Sequence, residues 1–417
     1  MTSAARDIQV YWAHALPPGT PPRLMGTLSV QTIRNKECFS FAFCEQWLKE
    51  RPPLALDPDL QHYGGRQYAT KDNFGLFLDS APDRWGRKLM QRREALRARK
   101  AGEPASPLQE SDYLLGVYDE TRMGALRFRC SPDGPFLNND TALAAPPWTR
   151  LQELEEACRH LEADSPTDEH GKWLSMLLAP GSSLGGARPK ASVTSPDGDL
   201  WMAKFPSRND DVSVAAWEYA TALMARDAGL HIPEVRLLHL SKRGATFLSR
   251  RFDRHGDIRL HFSSAMTLLG KRDGDNAENG SSYLELAEFI LSHDAAPEAD
   301  LAELWKRIAF SIAVSNTDDH LRNHGFLLQE DGWRLSPMYD VNPNPEGVGL
   351  SLNVTEDDNS LDFDLPLQVA PYFRISLRDA KGLLDDLRRV TRSWRNYAEH
   401  CGLKRDEQDL MSTAFRA

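Results

Sequence analysis

Residues Ser315 to Phe326 read SNTDDHLRNHGF, two aspartates, two histidines and two asparagines behind the apolar run AFSIAV. Asp318 and Asn323 are five positions apart, the separation between the base and the metal-binding asparagine of a kinase catalytic loop. An aspartate so placed orients a substrate hydroxyl and accepts its proton, while the asparagine amide oxygen helps to hold Mg²⁺. A hard, oxygen-seeking cation needs a second carboxylate. The stretch GFLLQEDGWRLSPMYDV predicts a hairpin with an Asp-Gly turn that delivers Asp340. His320 and His324, four apart, match the spacing of a zinc pair on a helix, but no glutamate follows His320 to complete a metalloprotease pattern. The alternative is that His320 bonds the loop or a phosphate and that His324 is structural. Asp319 is four positions from Asn323 and is a secondary candidate.

Two upstream stretches could serve the same chemistry. In GSSLGGARPK (181–190), Gly181, Gly185 and Gly186 let backbone amides turn towards an anion. The Lys-Ser/Thr of a Walker loop is replaced by Ala187-Arg188, so the choice lies between another kind of phosphate loop and an ordinary hairpin turn. In WMAKFP, Trp201, Ala203 and Phe205 point to one strand face and Met202 and Lys204 to the other. A lysine in an apolar strand needs a partner. Glu218, fourteen residues on in a helical stretch, offers the strand-lysine and helix-glutamate pairing by which kinases aim a lysine at nucleotide phosphates. A lysine snorkelling at a strand end is the other reading.

The elements that must position these groups follow from pattern. IQVYWA and LMGTLSV read as strands around LPPGTPP, FSFAF as a buried strand, and RMGALRF as another. DSAPDRWGRKLMQRREALRARKAG reads as a helix entered through Pro82 and ended at Gly102, and TRLQELEEACRHLEAD as an amphipathic helix. Strand, Gly-rich turn, strand, Asp-Gly hairpin, strand and helix are expected across 177–230, with one more strand in RGATFLSRRFDR. From about 285 the pattern is helical: YLELAEFILSH, LAELWKRIAFSIAV and ISLRDAKGLLDDLRRVTRSWRNYAEH.

The chain of 417 residues is long enough for two or three domains. Its net charge of −10 argues against direct contact with a phosphate backbone. Five scattered cysteines without metal-type spacing suggest reduced thiols and a cytoplasmic location. No signal-peptide plan and no membrane-length apolar run are seen in the sequence.

NTDDHLRNHGFLL followed by LSPMYDV resembles the carboxy-terminal signature of HipA-family kinases, the toxins of bacterial toxin–antitoxin pairs, with its Asp-x-His-x-x-Asn and strand-linked Tyr-Asp. SSLGGARPK resembles that family's phosphate loop, MAKFP its nucleotide lysine strand and LSRRFDR its hinge. LFLDSAPDRWGRKL and YLLGVYDETRMGALRF are similar to its amino-terminal module. The resemblance implies an α+β, two-lobed protein-kinase-like fold: an extra amino-terminal subdomain (1–145), a β-rich kinase N-lobe core (146–255) and an all-helical C-lobe (256–417). It implies Asp318 as catalytic base, Asn323 and Asp340 as Mg²⁺ ligands, and Lys204 on the ATP phosphates with Gly185, Gly186, Ala187 and His320 nearby. Arg250 and Phe252 would meet adenine through their backbone, with Asp253 adjacent. Ser183, or Ser182, would be the self-phosphorylated loop serine, an off-switch through added negative charge. Ser263-Ser264-Ala265 departs from the polar residues expected just after the hinge.

The function so implied is a Mg²⁺- and ATP-dependent serine/threonine kinase of toxin type. Its implied partners are a protein substrate such as an aminoacyl-tRNA synthetase and a helix-turn-helix antitoxin, with DNA met only through the latter. The alternatives are a small-molecule phosphotransferase, a catalytically silent binding module or corepressor, and, most distant, a metal hydrolase.

Overall fold

The computed structural model describes residues 6–50, 54–163, 177 and 186–416. They form two compact units, one of residues 1–208 with 253–263 and one of residues 209–252 with 264–417.

The first unit opens with an antiparallel sheet. Strands β1 (Arg6–Trp12), β2 (Arg23–Ile33), β3 (Lys36–Phe43), β4 (Gln67–Tyr68) and β5 (Leu126–Arg129) lie in the order β4-β3-β2-β1-β5. The alternation expected for β1 is present: Ile8, Val10 and Trp12 are buried while their neighbours are not. The β1–β2 register shifts between Val10 and Tyr11, opposite Gly26. A Cβ at Gly26 would lie 2.2 Å from the Ala42 carbonyl oxygen, so only glycine fits where β2 crowds β3.

Helix α1 (Arg84–Ala101) begins two residues after the expected entry at Pro82, because Asp83 is its cap, accepting from the Gly86 amide at 2.8 Å, and it stops at Gly102 as expected. Helix α2 (Glu110–Gly116) follows. Arg122, fully buried, ties this module together by donating to the carbonyls of Ser80, Leu114, Val117 and Leu137 at 2.7–3.0 Å. Helix α3 (Leu151–Glu162) carries the expected stripe of Leu151, Leu154, Ala157, Cys158 and Leu161, all buried. Strands β6 (Lys190–Thr194) and β7 (Leu200–Lys204) pair as the expected hairpin, Lys190 facing Lys204.

In the second unit, helix α4 (Val214–Asp227) is pinned by Glu407, which accepts from the Ser213 amide and from Trp217 Nε1. Strands β8 (Val235–Ser241) and β9 (Gly244–Arg250) form a hairpin; β8 escaped the sequence reading. None of its residues is fully buried and its half-buried and exposed positions follow no period of two, so no apolar face announces it. Helices α5 (Tyr283–His293) and α6 (Pro297–Ala313) form the core, and Leu301, Leu304, Trp305, Ile308 and Ile312 of α6 are fully buried. Burial on that scale, about 1.5–3 kcal/mol for each large apolar side chain, fixes where α6 ends and hence where the polar loop after it begins. Strands β10 (Gly325–Gln329) and β11 (Gly332–Leu335) make the expected hairpin. Its turn is Glu330-Asp331, while Gly332 pairs with Gln329 and approaches the His293 carbonyl so closely that a Cβ would lie 2.8 Å away. Asp300 of α6 holds β11 by accepting from the Leu335 amide and from Arg334. The long helical stretch near the end is two helices, α7 (Leu377–Arg392) and α8 (Trp394–His400), broken at Ser393. Residues 336–363 run without a helix, and short helices follow at Asp364–Val369 and Arg405–Leu410, so this part of the chain is not purely helical.

Candidate active site

The loop after α6 starts with a forced turn. Ser315 adopts φ +48°, and its neighbours close on it: the amides of Thr317 and Asn344 both donate to its carbonyl. The next residues then split by side. Asp318 is exposed, whereas Asp319 is buried. Asp319 Oδ2 accepts from the Tyr283 hydroxyl at 2.7 Å and from Ser311 Oγ at 3.2 Å, and its Oδ1 lies 3.1 Å from His324 Nε2. Burial by itself raises the Asp319 carboxyl, but the nearby His324, the Tyr283 hydroxyl and His320 hold it below its ordinary 3.8. Burial and Asp319 together push the Tyr283 phenol well up. Asp319 and His324, the two residues of the stretch with no assigned chemistry, thus brace the loop from inside.

Between them, the His320 amide donates to the Asp318 carbonyl and the Asn323 amide to the His320 carbonyl. Asn323 Nδ2 donates to the Asp318 carbonyl at 2.9 Å, which fixes the orientation of the side chain. Its Oδ1 is buried and accepts from no donor among the described residues. A buried amide oxygen with no donor is costly unless a cation meets it. Asp340 sits at φ +57°, rare for a non-glycine residue, with Asn342 Nδ2 donating to its Oδ1 at 3.2 Å. The Asn342 amide nitrogen of the backbone in turn reaches Asn316 Oδ1 at 3.2 Å, so the Asp340 turn is tied back to the loop entry. Tyr339 donates to the Arg322 carbonyl at 2.6 Å and packs on Phe252, ring centroids 5.5 Å apart. Oxygen donors of this kind, an amide and a carboxylate, suit Mg²⁺. No cluster of three or more His, Cys, Asp or Glu side chains that could hold a metal is found among the described residues.

Ser264 and Ala265, which depart from the expected polar pattern, support the loop instead: the Ala265 amide donates to the His324 carbonyl at 2.7 Å, and Ser264 caps the short helix that follows. The Arg250 amide donates to the Glu234 carbonyl at 2.9 Å.

The other sequence candidates lie in the first unit. Lys204 is buried on β7. Gly186 has φ +83°, and it and Ala187 are exposed. Asp253 is fully buried, accepting from the Gly124 amide at 2.9 Å and from Arg254 at 2.6 Å. Ser182, Ser183 and Gly185 lie outside the described residues. Glu218, the expected partner of Lys204, is buried on α4 of the second unit.

The whole chain is similar to a solved HipA from Shewanella oneidensis, determined with HipB and its operator DNA: TM-score 0.65 over 98% of this chain and 94% of that one, at 16% identity. That likeness establishes the class, a kinase-like α+β fold with an additional amino-terminal sheet subdomain and a helical carboxy-terminal part. Residues 182–410 match the family model described as HipA-like C-terminal domain, and the chain belongs to that family. It is 30% identical over 189 residues to a Haemophilus influenzae protein named "Putative kinase", covering 40% of this chain and 54% of that protein. It is 28% identical over 174 residues to the Escherichia coli protein named "Toxin YjjJ", covering 39% and 38% respectively. The chain therefore spans about half, or less, of the length of these relatives. Among the described residues no helix is long and apolar enough to cross a membrane.

Proposed function

We propose that this protein is an ATP- and Mg²⁺-dependent protein serine/threonine kinase that acts as the toxin of a toxin–antitoxin pair. The observation that carries the reading is the buried Oδ1 of Asn323, which meets no donor among the described residues while Nδ2 of the same amide donates to the carbonyl of the exposed Asp318. In this reading Asp318 accepts the proton of a serine or threonine hydroxyl as that oxygen bonds to the γ-phosphorus. The bond from the γ-phosphorus to its bridging oxygen breaks, and ADP leaves with that oxygen. Asn323 and Asp340 would hold Mg²⁺, which would neutralise charge on the phosphate oxygens. Lys204, Gly185, Gly186 and Ala187 are the phosphate-binding residues of this reading, and His320 is its further phosphate contact. The backbone of Arg250 and Phe252 meets adenine, with Asp253 as a neighbour of the hinge. Ser183 or Ser182 takes a phosphate in self-modification and switches the enzyme off.

The partners follow the same reading: a protein of translation such as an aminoacyl-tRNA synthetase as substrate, and a helix-turn-helix antitoxin that carries the DNA contact and meets the acidic chain. A cytoplasmic site of action fits the unpaired cysteines. Incubation of the purified chain with labelled ATP and Mg²⁺, beside Asp318→Ala, tests it. Label on Ser182 or Ser183, or on a protein in a cell lysate, confined to the unmutated chain is the expected result. Label on small molecules alone would make it a small-molecule phosphotransferase, and no turnover at all would make it a binding module.

A further inference from the structure

The motif DSAPDRWG is not absorbed by the catalytic reading, yet it reaches into the nucleotide region of its own unit. Asp83 and Lys190 are 107 residues apart in sequence, and Lys190 Nζ lies 3.0 Å from Asp83 Oδ2. Both side chains are almost fully buried, 4% and 3% exposed. Two residues further along α1, Trp85 Nε1 donates to the Lys190 carbonyl at 3.1 Å. The first turn of α1 thus grips Lys190 by side chain and backbone, and the same Asp83 carboxylate caps the helix through the Gly86 amide. Lys190 Nζ also donates to the Gly186 carbonyl at 3.3 Å, and a Cβ at Gly186 would come within 3.4 Å of that ammonium. Across the hairpin, Lys190 stands directly opposite Lys204, so two ammonium groups share one face of β6 and β7.

Like charges directly opposite on a ladder repel, and a buried ammonium needs a counter-charge. Asp83 supplies one for Lys190. With Lys190 so committed, its Nζ fixes the Gly186 carbonyl, and hence the direction of the peptide that follows it.

We propose that Asp83 and Lys190 are a positioning pair through which the amino-terminal module sets the affinity of the Gly186–Lys190 segment for nucleotide phosphates. The inference rests on the kinase reading and deepens it: α1 acts as a built-in support of the phosphate site. Neither residue touches the reacting atoms, so the effect is on phosphate recognition and leaves adenine recognition alone.

The test is calorimetric titration of the full chain with Mg²⁺-ATP and, separately, with adenosine. Asp83→Asn keeps an oxygen for the helix cap and removes the charge. It is expected to raise the Kd for ATP about tenfold, the loss of one charge-assisted contact, and to leave that for adenosine unchanged. Asp83→Glu is expected to restore most of the affinity. In a Lys190→Met background, Asp83→Asn should change ATP affinity no further, since the two act as one unit. Equal weakening of ATP and adenosine, or a fall in Tm with both affinities intact, would show a purely structural pair and overturn the proposal. Should Asp83→Asn fail to fold, Trp85→Phe removes the indole bond alone. It is expected to weaken ATP but not adenosine, and no change in either would count equally against the idea. An unmutated chain that binds neither ligand would instead refute the kinase reading, and this inference with it.

Discussion

Replacing Asp318 and Asp319 one at a time should give opposite phenotypes from adjacent residues of the same type. Asp319→Ala leaves the Tyr283 hydroxyl, Ser311 Oγ and His324 without their shared acceptor inside the second unit. Leaving these buried donors without an acceptor costs about 1–3 kcal/mol each, about 3–5 kcal/mol in all. For a unit of this size that corresponds to a fall in Tm of roughly 6–20 °C. Asp318 is exposed, so Asp318→Ala should change stability by no more than about 0.5 kcal/mol. It should nonetheless lower phosphoryl transfer about 10²–10⁴-fold. The assay is urea denaturation followed by tryptophan fluorescence, with Trp305 and Trp333 as buried reporters, run beside labelled-ATP transfer. The folded Asp319 carboxyl titrates below 3.8, so its stabilisation is complete above that pH and is lost as the pH falls further. The gap between Asp319→Ala and the unmutated chain should therefore be constant from pH 5 to 8 and narrow only in stronger acid. Equal midpoints for Asp319→Ala and the unmutated chain would refute the bracing role. So would an equal loss of stability in Asp318→Ala.

Asn323→Ala and Asp340→Ala should each raise the Mg²⁺ concentration needed for half-maximal transfer, read from metal titrations at saturating ATP; an unchanged requirement would remove both from the metal site. Burial pushes the Asp294 carboxyl from 3.8 up to about 7, beside Asp300 and Arg334. The folded state therefore keeps a proton that the unfolded chain releases, so stability should fall as pH rises from about 4 to 7 and level off above, by at most about 1.4 kcal/mol per pH unit. Asp294→Asn should flatten that slope in denaturation curves taken at several pH values. Arg122→Met should remove the guanidinium donor from the carbonyls of Ser80, Leu114 and Leu137, and one of two donors from that of Val117, at about 1–3 kcal/mol for each buried carbonyl left unsatisfied. Early proteolysis within residues 6–129, with the second unit still protected, is the expected readout.

Local information was enough for much of this protein. The spacing of Asp318 and Asn323, the strand around Lys204, and the helix bounded by Asp83 and Gly102 all depend on residues near one another in the chain. Backbone geometry and capping act over a few positions, which is why they can be read from order alone. The family motifs are legible for the same reason, since each is a run of consecutive residues. What the order of residues could not decide is which of two adjacent aspartates faces water. That depends on Tyr283, 36 residues upstream, and on Ser311 at the end of a buried helix. The purposes of Asp83, Lys190 and Arg122 were equally hidden, because each is satisfied by groups brought close only when distant elements pack. A charge or an orphaned oxygen acquires its meaning from burial, and burial exists only in the folded chain.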